Sequence, residues 1–334
     1  MRKVVVLALI VSIALLVPVP LRVSAGATWT VKVGADASNK ADQALLFLPK
    51  EITVNEGDTV QWKLTGSEHT IYFLAGGKPL ELIVPGKMKG EFLWNPDVFF
   101  ASPKKTYDGT GPISGGALLA APDTPKAFAL TFSKPGTYKY ACLFHPGMEG
   151  AVTVQASGSP YPKTQEEYDK IGAEQAKTAL AKAQALREAT KPEVAGTAGK
   201  RTFTLNLVGS MKDGATFYRF PGETLTMSRG DSVTWAMKDP TELHTVTFGS
   251  KKGFDIATVK PQPQGPPLIL VTKGAMNPSG GKVHRGPGFY NSGFLVTEGP
   301  GARSYTLTFS QRGTFEYLCA VHQLFGMKGT IVVK

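Results

Sequence analysis

The sequence predicts an all-β fold, with two Greek-key β-sandwiches in tandem joined by a helical linker. Three observations support this prediction. The chain has 334 residues, more than one ordinary domain needs and enough for two. It contains 37 glycines and 24 prolines, and only 19% of its residues are charged, which is typical of short strands separated by turns. Finally, its second half repeats the first, which indicates a duplicated domain.

The repeat is visible in two pairs of segments. Residues 47–73 resemble residues 220–248, because each contains a Gly-Asp turn, a Val-x-Trp strand and a His-Thr pair. Residues 129–154 resemble residues 306–333, because each contains a Gly turn, a strand ending in Cys and a closing apolar strand. Short strands at regular spacing with Gly and Pro turns predict a Greek-key sandwich in each copy.

Each copy contains one tryptophan at the same place in this pattern. Trp62 and Trp235 follow the Gly-Asp turns on a strand of alternating polarity. We therefore predict that both indole rings lie in the cores of their sandwiches.

The first 25 residues predict a signal peptide that is not part of the fold. Arg2 and Lys3 form a positively charged start, an apolar run follows, and small residues precede a cleavage site after Ala25. An uncleaved membrane anchor is the alternative, since residues 4–21 carry no charge, although two prolines make them less suited to a span. Either interpretation predicts an exported protein: periplasmic, secreted or at the cell surface.

Between the two copies lies a segment that favours a helix. It is rich in Ala, Glu, Gln, Lys and Leu, Thr164 and Glu167 form a capping box, and Pro192 marks its end. These signals predict a helix over residues 165–189 that lies on a domain surface or acts as a spacer. The predicted organisation is a signal peptide at 1–25, a first domain at 26–158, a helical linker at 159–199 and a second domain at 200–334.

The charge of the chain constrains its partners. The formal charge is +11, and removal of the signal peptide takes away three basic residues and leaves about +8. This excess favours an acidic protein partner or association with an anionic membrane surface, although an ordinary basic exported protein is the alternative. No Lys/Arg run stands out, so we expect no nucleic-acid partner.

We predict no disulfide between the two cysteines. Cys142 and Cys319 occupy corresponding positions of the repeat, and such positions in two neighbouring domains have no reason to meet within the short reach of a disulfide.

Each copy instead carries a complete set of ligands for a metal. A histidine is followed more than seventy positions later by Cys-x-x-His and then by Met, and these sets include both cysteines and four of the five histidines. Two imidazoles, a thiolate and a weak axial thioether form a type 1 (blue) copper site, which accommodates both Cu(I) and Cu(II). The sequence therefore predicts two copper sites, formed by His69, Cys142, His145 and Met148, and by His244, Cys319, His322 and Met327.

These residues resemble the plastocyanin/amicyanin family of cupredoxins. The resemblance covers residues 30–154 and 201–334. The first copy has the short Cys-x2-His-x2-Met loop of amicyanin-like members, and the second has the longer Cys-x2-His-x4-Met loop of plastocyanin-like members. The resemblance implies two cupredoxin sandwiches and electron transfer, with the cysteine thiolates dominating the colour and the electronic coupling.

The resemblance also implies roles for residues around the ligands. His145 and His322 would lie at partly exposed tips within an apolar patch through which electrons pass; the alternative is that the apolar loop residues only pack under the sheet. Thr70 and Thr245 would tie the two ligand loops together by hydrogen bonds, unless they serve only as strand formers.

The chain departs from small members of this family in one respect. The long separation between the first histidine and the cysteine requires large insertions, at about residues 76–116 and 251–293. We expect each insertion to cover one face of its own domain. The fifth histidine, His284, has no second ligand nearby in the sequence and is expected to lie on the surface.

The sequence argues against an enzyme. Laccase-like oxidases and copper nitrite reductases need further histidines, including one directly before the cysteine, where this chain has Ala141 and Leu318. Only His284 remains after the two blue sites are filled. We therefore expect an exported electron-transfer protein that moves single electrons between a redox protein donor and acceptor. A copper-handling or delivery protein and a cell-surface module without redox turnover are the alternatives.

Overall fold

The computed structural model describes residues 26–249 and 255–334, so the predicted signal peptide lies outside the described residues. The elements of the first copy are β1 (Thr28–Asp36), β2 (Asp42–Leu48), β3 (Glu51–Asn55), β4 (Thr59–Leu64), β5 (His69–Phe73), β6 (Ile83–Pro85), β7 (Phe92–Trp94), α1 (Pro96–Phe99), β8 (Thr106–Tyr107), β9 (Ile113–Leu118), β10 (Ala127–Phe132), β11 (Gly136–Ala141) and β12 (Glu149–Gln155). They form two sheets that face each other, in the strand orders β2-β1-β4-β10-β8 and β3-β12-β11-β5-β9.

The second copy repeats this arrangement, with sheets in the orders β13-β14-β18-β24-β22 and β17-β26-β25-β19-β23. The predicted all-β class, with two sandwiches and one helix between them, is therefore confirmed. The remaining elements are α2 (Gln165–Ala189), β13 (Glu193–Ala195), β14 (Thr202–Leu207), β15 (Gly209–Ser210), β16 (Ala215–Phe217), β17 (Thr224–Met227), β18 (Ser232–Met237), β19 (Thr247–Phe248), β20 (Ala257–Lys260), β21 (Leu268–Val271), α3 (Lys273–Met276), β22 (Val283–His284), β23 (Tyr290–Asn291), β24 (Ser304–Phe309), β25 (Gly313–Leu318), a 3-10 turn (Gln323–Phe325) and β26 (Lys328–Val333).

Both cores are built around the predicted tryptophans. Trp62 and Trp235 are fully buried. Trp62 contacts Tyr140 edge-on with 5.2 Å between ring centroids, and Trp235 makes the same contact with Tyr317 at 5.2 Å. Each tyrosine lies two positions before a cysteine at the end of its strand, so this aromatic pair connects the core to the end of the sandwich where the predicted ligands lie.

Helix α2 begins and ends where the sequence predicts, with the Thr164–Glu167 capping box at its start. It lies on the first sandwich, where Tyr168 and Ala179 are buried. Gly172 allows the helix to approach closely, because a Cβ there would lie 3.0 Å from the backbone of Leu48. Within the described part of the chain, no helix is both long enough and apolar enough to cross a membrane.

The two copies are joined by more than the helix. Strand β16 of the second copy pairs antiparallel with β2 of the first, with Thr216 opposite Gln43, so that one sheet runs across the boundary between the copies. Arg187 at the end of α2 donates two hydrogen bonds to Asp42 on β2, at 2.7 and 3.1 Å. The sandwiches therefore hold each other in one orientation.

The insertions form a third connection, which corrects the expectation that each covers its own domain. Strands β6 and β7 from the first insertion and β20 and β21 from the second form one four-stranded sheet in the order β20-β21-β7-β6. Trp94 from the first copy contacts Phe294 from the second, with ring centroids 5.8 Å apart. The insertions pair with each other because apolar residues on both sides of the boundary gain a shared core.

His284 is buried, so the expectation of a surface histidine is wrong. Only 2% of it is exposed, and its ring packs against those of Tyr290 and Phe315, with centroids 4.3 and 4.4 Å apart. Its Nδ1 has no hydrogen-bond partner among the described residues. Burial lowers the pKa of His284 to about 4, so the ring is a neutral core residue.

This burial predicts a pH-dependent stability. Because the pKa of His284 is lower in the folded than in the unfolded chain, its full contribution is present above about pH 6.5 and declines as the pH falls toward about 4. His284→Phe should remove this decline, which is at most about 1.4 kcal/mol per pH unit. Urea unfolding of the metal-free chain between these pH values measures the difference, and His284→Leu is a second variant in case Phe is too large. Identical pH dependence in parent and variants would contradict the assignment.

Candidate metal centres

The first cluster of predicted ligands lies at one end of the first sandwich. His69 begins β5, and Cys142 and His145 follow β11. The Nδ1 atoms of His69 and His145 are 2.8 Å apart, and the Cys142 Sγ lies 3.8 and 3.4 Å from them. All three side chains are buried, so the fold brings three ligand atoms together away from solvent.

The second cluster has the same geometry. The Nδ1 atoms of His244 and His322 are 3.1 Å apart, and the Cys319 Sγ lies 3.9 and 3.6 Å from them. These side chains are also buried. Within the described ranges, these are the two groups of at least three His, Cys, Asp or Glu side chains that could hold a metal ion.

The two methionines are buried on the loops that close the clusters. Met148 and Met327 are each 1% exposed. The amide of Cys142 donates to the carbonyl of Met148 at 2.9 Å, and the amide of Cys319 donates to that of Met327 at 3.0 Å. Each loop therefore folds back so that the methionine lies beside the cysteine.

A threonine after the first histidine holds each cluster together. The Thr70 amide donates to the Cys142 Sγ at 3.3 Å, and its hydroxyl accepts from the Leu143 amide at 2.7 Å. In the second copy, the Thr245 amide donates to the Cys319 Sγ at 3.3 Å, and its hydroxyl accepts from the Ala320 amide at 2.7 Å. Each threonine thus joins both ligand loops, as the resemblance implied, and its hydroxyl also donates to the cysteine Sγ, at 3.7 Å in the first copy and 4.0 Å in the second.

The environment favours a thiolate in both clusters. Burial alone would raise the pKa of the Cys142 thiol, but the imidazoles of His145 and His69 outweigh it and hold this pKa well below its usual range. The imidazoles of His322 and His244 do the same to the pKa of Cys319. The thiolate is the form that binds a metal, so the sites are prepared for a cation.

The donor atoms fit copper. His145 and His322 direct their Nε2 atoms at a carboxylate, so these nitrogens keep their protons, and the Nδ1 atoms face the thiolate, where a metal would take the place of a proton. Two imidazole lone pairs and a thiolate that converge within 4 Å are satisfied by a soft or borderline cation. Gly34 leaves room for His69, because a Cβ at this position would lie 2.2 Å from the Nε2 of that ring.

The structure corrects the prediction that the second histidine of each cluster lies at a partly exposed tip. His145 and His322 are each only 1% exposed, because the two clusters face each other across the boundary between the copies. The predicted apolar patch is divided: Phe144 packs against Phe99 with centroids 5.2 Å apart, whereas Leu324 is 66% exposed.

A carboxylate that the sequence analysis missed lies between the clusters. Glu242 Oε1 is 3.0 Å from His145 Nε2, and Glu242 Oε2 is 3.3 Å from His322 Nε2. Burial would raise the pKa of Glu242, but the two histidines hold it well below its usual range. Glu242 lies two positions before His244, so its place beside a predicted ligand is visible in the sequence. Its contact with His145 of the first copy could not be predicted from the sequence.

The ring of His322 also contacts Tyr218, which directly follows β16. Tyr218 stacks on it with centroids 4.0 Å apart and an interplanar angle of 10°, and the Tyr218 hydroxyl donates to Glu242 Oε1 at 2.7 Å. The Cys319 thiolate and Glu242 raise the pKa of His322 to about 10 against the opposing effect of burial. In the metal-free chain the His322 ring is therefore protonated and lies between the Cys319 thiolate and the Glu242 carboxylate.

A cleft of about 380 Å³ leads to both clusters. Its walls are mainly apolar, and its lining includes Glu68, His145, Glu242, Leu243, His322 and Leu324. Because His145 and His322 both line it, a molecule in this cleft would contact both imidazoles.

The chain was compared with known proteins. Residues 33–155 and 207–334 match the copper binding proteins of the plastocyanin/azurin family. The chain is 32% identical over 129 residues to the plastocyanin of Scenedesmus fuscus, which covers 38% of this chain and 98% of that protein. It is also 32% identical over 128 residues to the chloroplastic plastocyanin of Physcomitrium patens, covering 37% of this chain and 56% of that protein.

Among solved structures, the reduced state of an amicyanin mutant is 25% identical to this chain, with a TM-score of 0.23, and the match covers 40% of this chain and 87% of that one. A reduced Cu(I) form of another amicyanin mutant is 24% identical, with a TM-score of 0.24 and the same coverage. The family match covers most of the chain, once in each sandwich, and both matched segments contain a His-Cys-His cluster. The chain is therefore a tandem member of the plastocyanin/azurin family of copper binding proteins.

Proposed function

We propose that this chain is an exported blue copper electron carrier with two type 1 sites. The observation that carries the proposal is the pair of buried clusters, each with two imidazole nitrogens and one thiolate close enough to share a metal. The proposed ligands are His69, Cys142, His145 and Met148 at the first site and His244, Cys319, His322 and Met327 at the second.

Copper bound at these ligands would supply a one-electron change between Cu(II) and Cu(I). The residues around it act by keeping the site rigid and dry. Thr70 and Thr245 fix the loops that carry the cysteines, and their amides donate to the thiolates. Because hydrogen bonds to the sulfur and the axial ligand tune the potential of such sites, we assign these threonines and the buried methionines to that role.

Two features favour an electron carrier over a delivery protein or a surface module. The histidine and cysteine side chains are at most 3% exposed, so release of a metal would require the interface to open, whereas electron transfer would not. An additional catalytic copper is disfavoured because His284, the remaining histidine of the sequence, is enclosed by aromatic rings.

We further propose that electrons enter through the cleft that borders His145 and His322. Its exposed Leu324 and Val259 offer apolar contact to a redox protein, and the positive charge of the chain favours an acidic donor or acceptor. Export rests on the signal-peptide pattern of residues 1–25.

The first prediction of the proposed function concerns copper content and colour. The chain without residues 1–25 should bind about two copper ions, one for each cluster, and its Cu(II) form should be intensely blue because of thiolate ligation. Cys142→Ser and Cys319→Ser should each remove one copper and roughly half of the blue absorption. Metal analysis and visible spectroscopy measure this, with circular dichroism to verify folding. One copper in the parent chain, or a colourless Cu(II) form, would refute at least one site.

The second prediction is that the two sites differ in reduction potential. Two residues separate His145 from Met148, but four separate His322 from Met327. His244 Nε2 lies 4.0 Å from the Asp239 carboxylate, whereas His69 Nε2 has no partner among the described residues. A nearby negative charge favours Cu(II), so the second site should have the lower potential.

Titration of Cys142→Ser and Cys319→Ser isolates one site in each full-length variant, without cutting the sheet that joins the copies. A difference of roughly 59 mV corresponds to a tenfold preference for one electron, so a few tens of millivolts would order the filling of the sites. Potentials that are equal within error, or a higher potential at the second site, would contradict this prediction.

A further inference from the structure

One side chain of the second copy contacts ligands of both clusters. The Glu242 carboxylate accepts from His145 Nε2–H at 3.0 Å with one oxygen and faces His322 Nε2–H at 3.3 Å with the other. The His145 and His322 side chains are 2% and 1% exposed, and that of Glu242 is 5% exposed. A single buried carboxylate thus joins a ligand ring of the first cluster to a ligand ring of the second.

The carboxylate is fixed by further contacts. The Tyr218 hydroxyl donates to Glu242 Oε1 at 2.7 Å and lies 3.4 Å from the Ser67 Oγ of the first copy. Three side chains therefore direct protons at one carboxylate, and a buried charge is tolerated when it is paired and hydrogen-bonded in this way. Its position is determined by both copies together.

The bridge also sets the protonation of both ligand rings. Because each Nε2 directs its proton at Glu242, Nδ1 is the atom of each ring that is left to bind the metal. A carboxylate that fixes a ligating histidine in this way normally serves one metal site. Here one carboxylate serves two sites, so a change at one ring alters the hydrogen bond that the other ring can make.

We propose that Glu242 is the bridge through which the two copper centres exchange electrons and act as one two-electron unit. This inference rests on the proposed function. Copper held at the two clusters would supply the one-electron change, so that one centre would be oxidised as the other is reduced. Both Nε2–H protons stay on their imidazoles, so the path consists of two hydrogen bonds and one carboxylate, and no other reactant is needed.

A rival path runs through Tyr218, which stacks on His322 and approaches Ser67. From Ser67 it must continue along the backbone to His69. It crosses a longer contact of 3.4 Å and more bonds than the carboxylate does, so we assign the exchange to Glu242 and a positioning role to Tyr218.

Glu242→Gln tests the bridge with little change in volume. A glutamine oxygen can accept from one Nε2–H, but its NH2 group then faces the other Nε2–H, so one of the two hydrogen bonds is lost. Glu68→Gln is the matched control for the loss of a negative charge: Glu68 lines the same cleft and interacts electrostatically with His322 and His145, but within the described part of the chain no hydrogen bond joins it to a ligand ring.

The copper-loaded full-length chain is reduced rapidly with less than one equivalent of electrons. Exchange between the sites is then followed as the first-order phase that does not depend on protein concentration. Glu242→Gln should retain two coppers and slow this phase about tenfold or more, within the range by which such outer-sphere partners change activity, whereas Glu68→Gln, which removes a charge but no hydrogen bond to a ligand ring, should slow it far less. An unchanged rate in Glu242→Gln with two coppers bound would overturn the bridge.

A second readout does not depend on electron transfer. In the diamagnetic Cu(I) form, the Nε2–H protons of His145 and His322 should give NMR signals that are protected from exchange with water. Glu242→Gln should lose at least one of them, and Glu68→Gln should keep both. Solvent-exposed signals in the parent chain would also contradict the bridge.

Two outcomes separate this inference from the proposed function. If the parent chain binds no blue copper, the proposed function fails, whatever Glu242 does. If Glu242→Gln fails to fold or loses copper, Tyr218→Phe is used instead: it keeps both histidine contacts and removes the hydrogen bond that positions the carboxylate. Tyr218→Phe should then slow the exchange relative to the parent chain, because a carboxylate that lacks this hydrogen bond is held less firmly against both rings, and an unchanged rate would count against the bridge.

Discussion

The buried carboxylate of Glu242 is the interaction on which the arrangement of the two copies depends. A charge at 5% exposure is tolerated only with good partners, and here the partners come from both sandwiches. The interface must therefore hold His145 and His322 within hydrogen-bonding distance of one side chain. The sheet shared by β2 and β16, the sheet formed by the two insertions, and Arg187 on Asp42 all secure this orientation.

The duplication produced two similar sites in different surroundings. Thr70 and Thr245 make the same contacts to sulfur and to the neighbouring loop, because the strands that carry them are equivalent. The surroundings differ where the copies meet: Tyr218 stacks on His322 at 4.0 Å, whereas Phe144 meets His145 edge-on at 6.3 Å. A tandem chain can in this way combine one scaffold with two distinct centres that lie face to face.

Sequence patterns predicted the features that are local or repeated within each copy. Trp62 and Trp235, the helix at 165–189 and both ligand clusters follow from strand alternation, capping and the spacing of His and Cys. The docking of the copies could not be predicted, since a repeat carries no information about which ends meet. For this reason His145 and His322 were expected to be exposed, the insertions were assigned to separate faces, and Glu242 was missed. His284 was misplaced because its aromatic neighbours come together only in the fold.

The two ligand clusters face each other across a buried interface within one chain, so two copper ions bound there should interact magnetically. Electron paramagnetic resonance of the full-length chain with both sites in the Cu(II) form measures this interaction. We expect two type 1 signals that broaden each other through dipolar coupling, with the broadening absent when Cys142→Ser or Cys319→Ser leaves one site. A spectrum equal to the sum of the two single-site spectra would place the centres far apart and contradict the account.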